Sequence, residues 1–286
     1  MFKNHTNYKY ILFVLPALVY VAALSFFPAA SVVFLSFKTP KGAYSLGNYY
    51  AIESGLLKST FDTVIVSFGA LLIQLFFAIL IANILIKSLK GNKLFSTIFI
   101  IPYGISTVVS AFIFSLIFSA VGGFANSTLH SLGLLHLFGI ASVNWYATQY
   151  TSMGIVMFAD FWKNTPLIAL ILLGGLSSID PAIMEAASVD GAGSFRRFIH
   201  IILPNLAPYI AIALLIRGVS EFNIFALPLV LIGYHPSLIN TLVYEYFTSI
   251  SSVDYSYAAA TILLLIIVAF AVLVIKLGGA SNYEKQ

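Results

Sequence analysis

Between Lys9 and Lys38 this chain carries no charged residue, and between Lys93 and Asp160 it again carries none. A soluble domain could not cover stretches of that kind with water-compatible groups. The whole chain repeats the pattern: of 286 residues, 8 % are charged and 60 % hydrophobic, and the mean hydropathy is +1.00. Lipid is the implied solvent. Open strands cannot satisfy their backbone groups there, so helices are the implied element. The length allows about six crossings, each needing roughly 20 apolar residues to traverse ~30 Å of hydrocarbon.

The expected spans are the apolar runs 11–37, 64–86, 94–118, 152–173, 207–231 and 258–275, in a single transmembrane domain covering residues 1–286. Pro16, Pro28, Pro102, Pro166 and Pro228 fall within or at the ends of these runs, where neighbouring helices tolerate kinks. The uncharged run from Tyr10 to Phe37 is too long for the core of a cleaved signal peptide, so it reads as a retained first span. Lys3, Lys9, Lys87, Lys90, Lys93, Arg196, Arg197, Lys276 and Lys285 fall on one side of these spans; Lys38, Lys41 and Lys58 fall on the other. The excess places both termini in the cytoplasm. The same distribution explains the net charge of +4 without nucleic acid, because the cations sit between spans and form no basic face. The uncharged loop 120–149 is expected to lie along the membrane surface, with Trp145 and Tyr146 in the interfacial zone. There are no cysteines, which excludes disulfides, thiolate chemistry and cysteine metal sites.

The most informative segment is 177–204, between the fourth and fifth runs. Asp180 suits an N-cap, Pro181 the first helical position and Gly191 a C-terminal stop. The short helix so bounded has a small-residue face, Ala182, Ala186 and Ala187, which would let another protein approach its backbone; Glu185 and Asp190 charge its edges. After it, residues 195–203 set Phe195, Phe198, Ile199 and Ile202 against Arg196, Arg197 and His200, as an interfacial helix would.

The spacing here is specific. Glu185-Ala186-Ala187 is followed by three residues and Gly191, then nine residues, Ile201, one residue and Leu203-Pro204. This resembles the EAA loop of ATP-binding-cassette importer permeases, and Asp190-Gly191-Ala192 is similar to the carbohydrate-uptake branch. Phe13-Val14-Leu15-Pro16, Leu35-Ser36-Phe37, Gly47-Asn48-Tyr49, Pro102, Trp162-Lys163-Asn164-Thr165-Pro166 and Asp254-Tyr255 extend the resemblance along nearly the whole chain. It looks most like the first of two paired sugar permeases of the maltose and glycerol-phosphate type. It departs after the fifth run, where Leu231-Ile232-Gly233-Tyr234-His235-Pro236 stands in place of a Thr-Gly-Gly-Pro run and Thr241 follows.

The resemblance implies a six-helix permease in a prokaryotic plasma membrane, paired with a second permease. Two cytoplasmic ATPases and an extracytoplasmic solute-binding protein would complete the complex. It assigns ATPase coupling to Glu185, Ala186, Ala187, Asp190, Gly191, Ala192, Leu203 and Pro204, and implies a sugar or related polyol as solute. ATP and Mg would be held by the ATPases, with no cofactor on this chain. The sequence agrees in having no G-x-x-x-x-G-K-[ST] motif to cradle phosphates.

Charged residues inside the spans cost about 2.5–3.5 kcal/mol each, so they need partners or water. Asp160 and Lys163 share a helical face at i,i+3, and Arg217 and Glu221 stand at i,i+4. With Asn223 and the nearby aromatics Phe161, Trp162 and Phe222, they would form a polar lining for a hydroxyl-rich solute. Alternatively they form two intrahelical ion pairs that serve packing. A different class of function is an ion- or proton-coupled transporter using Asp160 or Glu221, which would favour inverted repeats; the chain has none evident. An intramembrane enzyme would need a nucleophile–base or metal constellation. The histidines offer none: His130 and His136 are six apart and no carboxylate completes a ligand set.

Overall fold

The computed structural model describes residues 7–39, 42–86, 92–137, 139–235, 237–249 and 253–278. Lys3, Lys41, Lys87, Lys90 and Lys285, on which the expected orientation partly rests, lie outside these residues. The first helices are α1 (Asn7–Val21) and α2 (Phe27–Ser36), joined by a π-helical turn at Ala22–Phe26. Then come α3 (Gly47–Ala51), α4 (Glu53–Leu85), α5 (Asn92–Gly104), α6 (Thr107–Ile117), α7 (Phe124–Ser131), α8 (Leu134–Leu137) and α9 (Gln149–Ser177). The last third holds α10 (Pro181–Val189), α11 (Ser194–Arg197), a π-helical turn at Phe198–Ile202, α12 (Leu203–Phe222), α13 (Ala226–Ile232), α14 (Ile239–Thr248) and α15 (Val253–Leu277).

Among the described residues, 5 helices are long and apolar enough to cross a membrane: Phe13–Ser36, Glu53–Leu85, Gln149–Ser177, Ser194–Phe222 and Val253–Leu277. The pair Thr97–Gly104 and Thr107–Ile117, bent by 98°, is apolar enough to make a sixth crossing if the two pieces form one span. The expected third span, 94–118, is therefore broken. Pro102 and Gly104 weaken the helix end, and Ser106 turns extended (ψ 140°) to start α6. The fifth helix also differs from the run 207–231. Residues 195–203 form no separate interfacial helix but continue through the π turn into α12. At the other end α12 stops at Asn223, whose side chain turns back to donate to the Val219 carbonyl at 3.1 Å. The Asn223 carbonyl accepts from Asn240 at 2.9 Å, and the chain restarts as α13.

The chain divides into two compact units. One comprises Met1–Leu57 and Leu242–Ile262. Its turn after α2 is held by buried Asn48, whose amide donates to the carbonyls of Ser36 and Lys38, both at 2.9 Å. The Tyr49 hydroxyl meets the Ser36 hydroxyl at 2.7 Å. The Gly47-Asn48-Tyr49 motif is thus a clamp on the end of the first span.

The other unit, Lys58–Thr241 and Leu263–Gln286, is organised around α9. Along α9, Met153, Val156 and Ala159 pack with Val66, Ala111, Phe114 and Leu227, while Ile168, Ala169 and Leu172 pack with Ala78, Ala82, Leu206 and Ala213. Small residues let the helices approach, the usual basis of association where lipid removes the hydrophobic drive. Gly218 of α12 shows how close: a Cβ there would lie 2.1 Å from the Phe270 ring. Between these two apolar layers α9 carries Asp160 and Lys163. In the loop 120–149, Asn126 donates to the Ala120 and Val143 carbonyls at 3.1 and 3.0 Å and accepts from the Val143 amide at 3.0 Å. Trp145 and Tyr146, expected in the interfacial zone, pack against the first apolar layer.

Candidate functional site

The intramembrane charges come together: Arg217 and Glu221 pair as their i,i+4 spacing suggests, while Asp160 pairs with Arg217 and not with Lys163. Arg217 Nη2 donates both to Asp160 Oδ2, across from α12 to α9, and to Glu221 Oε2 one turn along. Gln74 of α4 completes the joint. Its Nε2 donates to Asp160 Oδ2 at 2.6 Å, and its Oε1 accepts from Arg217 Nε at 3.2 Å. The second Asp160 oxygen accepts from Asn164 at 2.7 Å. Three helices are thereby tied at one buried point. Such charges are tolerated away from water when paired, as Arg217, Asp160 and Glu221 are, although Glu221 Oε1 is buried with no hydrogen-bond partner among the described residues.

Lys163 is not the partner of Asp160. Its ammonium donates to the Tyr103 carbonyl at 3.3 Å and lies 5.6 Å from the centre of that ring. The guanidinium explains the exchange: its planar fork spreads donors over Nε and Nη2 and so serves Asp160, Gln74 and Glu221 together.

The joint forms one wall of an open recess of ≈ 570 Å³. Asp160, Lys163, Asn164, Arg217 and Asn223 line it, with Tyr103, Thr107, Ser220 and Phe225. Glu221 stands behind the wall, fully buried. The aromatics expected beside the charges are elsewhere. Trp162 packs edge-on to Phe114 at 5.5 Å, Phe222 lies buried against Phe68 and Phe270, and Phe161 contacts Phe77. None of the three lines the recess; on α9 the helical turn that points Lys163 inward sends Phe161 and Trp162 to other faces. The recess offers Tyr103 and Phe225 instead.

The segment after α9 builds a second feature. Asp180 caps α10 by accepting from the Ala182 amide at 2.9 Å, and Pro181 occupies the first turn. At the other end Gly191 adopts φ 73°, the left-handed conformation that glycine takes without strain. The Ala192 amide then reaches the Ala187 carbonyl at 2.9 Å and the Gly191 amide the Ser188 carbonyl at 3.2 Å, closing a Schellman motif. Both ends are thus satisfied locally. No residue of α10 is buried; Ile183 is 47 % and Val189 87 % exposed. Arg197 Nη1 donates to Ser188 Oγ at 2.7 Å, which braces α10 against α11. Leu203 and Pro204 are not part of this element; they open α12.

The match to known proteins extends over most of this framework. Residues 74–278 match the family described as binding-protein-dependent transport system inner membrane component. The chain belongs to this family. As an inner membrane transport component it is a multi-pass membrane protein, in keeping with its apolar helices. It is 30 % identical over 281 residues to the trehalose/maltose transport system permease protein MalF of Thermococcus litoralis, covering 93 % of this chain and 92 % of that one. With the trehalose transport system permease protein SugA of Mycobacterium tuberculosis it shares 32 % identity over 222 residues, 74 % of this chain and 69 % of the relative. Its fold matches a bacterial ABC transporter involved in import of the acidic polysaccharide alginate, with a TM-score of 0.75 at 20 % identity over 95 % of each chain.

Within this transport component, sequence reasoning missed Gln74 and Tyr103. Gln74 did leave a signal, as one of two amides, with Asn83, in the apolar run 64–86. Tyr103 left none, because it contributes its main-chain carbonyl. His130 and His136, whose six-residue spacing offered no ligand set, bring their ring centres to 4.9 Å, since Gly133 turns the chain between α7 and α8. No cluster of three or more potential metal ligands occurs among the described residues.

Proposed function

We propose that this chain is one of two paired transmembrane subunits of an ATP-driven importer, carrying a sugar or related polyol. Both its termini face the cytoplasm, α10 seats in a cytoplasmic ATPase, and the recess beside Arg217 belongs to the solute path. The observation that carries this reading is α10 itself: a short helix, closed at both ends by its own residues, with no side chain buried and the spacing of an EAA loop. A rigid rod can transmit a push from a motor that a flexible loop would absorb. Glu185, Ala186 and Ala187 present its charged and small-residue surface. Asp190, Gly191 and Ala192 fix its end, and the π turn at Phe198–Ile202 joins it through Leu203 and Pro204 to α12.

Closure of two ATPases would move α10, and with it α9 and α12, which meet at the Asp160–Arg217 bridge. The solute path would then open to alternate sides of the membrane. A second permease, a pair of ATPases holding ATP and Mg, and an extracytoplasmic binding protein complete the assembly; this chain itself holds no cofactor. Support for a sugar comes from the relatives named for trehalose and maltose transport and from the hydroxyl and amide groups around the recess. The test is ATP-dependent uptake by the complete complex in proteoliposomes. Wild type is expected to accumulate a sugar, and Glu185→Lys to reduce uptake to background at unchanged membrane level and melting temperature. Normal uptake by Glu185→Lys would remove α10 from the coupling path.

A further inference from the structure

The loop before α9 contains a hairpin, α7 to α8, whose turn is fixed by its own backbone. Gly133 takes φ 72°, its amide reaches the His130 carbonyl at 2.9 Å, and the Leu132 amide reaches the Thr128 carbonyl at 3.0 Å. Beyond the turn the Ile140 amide bonds the Leu135 carbonyl at 3.1 Å, and Leu135, 3 % exposed, anchors α8. This framework sets His130, in the last turn of α7, beside His136 of α8, with ring centres 4.9 Å apart and planes tilted by 58°. Both residues are exposed. Neither ring has a hydrogen-bond or ion-pair partner among the described residues, whereas the His200 ring meets the Arg196 carbonyl at 3.1 Å.

Two unengaged imidazoles at this separation suit one kind of ligand. A metal–nitrogen bond of about 2.0–2.1 Å places an ion about 3.2 Å from the centre of a ligating ring. Two such rings stand about 5.2 Å apart at a tetrahedral angle and about 4.5 Å apart at a right angle. The observed 4.9 Å lies between these values. Because the rings are exposed and unstacked, rotation about their χ angles can aim one nitrogen of each at a common point. Chemistry narrows the ion. Imidazole suits zinc, copper and nickel, whereas magnesium and calcium take oxygen ligands. Between Lys93 and Asp160 the chain has no carboxylate to supply them, and no lysine or arginine to repel a cation.

We propose that His130 and His136 form a two-nitrogen chelate for a first-row divalent ion, Zn²⁺, Ni²⁺ or Cu²⁺, with water completing its coordination shell. Bound there, the ion ties α7 to α8 across Gly133 and stiffens the hairpin. It is an exchangeable surface ion, remote from α10 at the other end of α9. The site does not depend on which side of the membrane the hairpin faces or on what the recess carries.

The test uses the full-length chain purified in detergent without a polyhistidine tag. Cu²⁺ is titrated in and followed by electron paramagnetic resonance, and Zn²⁺ and Ni²⁺ by calorimetry. Wild type is expected to bind one ion per chain, with the splitting of two imidazole nitrogens in the copper spectrum. His130→Ala and His136→Ala should each bind about a hundredfold more weakly, because the second contact is no longer intramolecular. His5→Ala, His200→Ala and His235→Ala should bind as wild type does, and Mg²⁺ should not compete. The nitrogen count is read on the wild-type protein, so it decides the matter even if a variant fails to fold. Absence of saturable binding, a copper spectrum with one nitrogen or none, or an affinity that follows His5, His200 or His235 overturns the proposal. Folded His130→Ala and His136→Ala proteins that keep wild-type affinity overturn it as well.

Discussion

The helices α9 and α10 follow one another in the chain and are held by opposite means. In α9, 14 of the 29 residues are buried, and its key contacts reach Gln74, Arg217 and the Tyr103 carbonyl in distant segments. In α10 no residue is buried, and its ends are closed by Asp180 and Gly191 from within the same stretch of chain. One helix is fixed by the fold and the other by its own sequence. A part that must be gripped by another protein cannot be buried, so its rigidity has to be local. A part that keeps charges inside lipid has to recruit partners wherever the fold brings them.

Breaking the tertiary side should have the largest effect. Arg217→Met strands Asp160 and Glu221 as buried carboxylates, a loss of about 3–5 kcal/mol for a broken buried pair. The expected outcome is little folded protein in the membrane, measured by thermal unfolding in detergent. Retention of the wild-type melting temperature would mean that the bridge does not hold α9 to α12.

Breaking the local side should act on coupling with little effect on the bulk fold. Gly191→Val forces a β-branched residue to φ 73°, at a cost of about 1–2 kcal/mol, and unseats the end of α10. Uptake should fall severalfold with a nearly unchanged melting temperature, and Gly191→Asn, which tolerates this conformation, should fall between. The smallest effect is expected from Asp180→Ala, which removes one cap worth about 1 kcal/mol from an exposed helix. It should lower uptake modestly and leave detergent unfolding within error of wild type. If Asp180→Ala proved as damaging as Gly191→Val, the two ends of α10 would be contributing equally.

The same contrast explains what could be read from the chain alone. The bounds of α10 were legible because Asp180, Pro181 and Gly191 each act within a few residues of where they stand. The i,i+4 relation of Arg217 and Glu221 was legible for the same reason. The bridge from Arg217 to Asp160 was not, since 57 residues separate them and only the packing of α9 on α12 brings them together. Spacing alone favoured Lys163 as partner of Asp160, but Arg217 displaced it through its planar fork and the help of Gln74. The break at Asn223 was hidden by the continuous hydrophobicity of residues 224–232. Hydropathy measures what lipid accepts and is silent on where a helix stops.

Because the chain has no cysteine, a single substitution offers a unique label, and this allows the most direct test of α10 as an exposed cytoplasmic docking rod. Ala186→Cys is introduced and probed with a membrane-impermeant maleimide in inside-out vesicles, with and without the assembled ATPase. The account predicts rapid labelling when the ATPase has been stripped and strong protection when it is bound. Labelling from the outer face of intact cells, or equal labelling with and without ATPase, would contradict it.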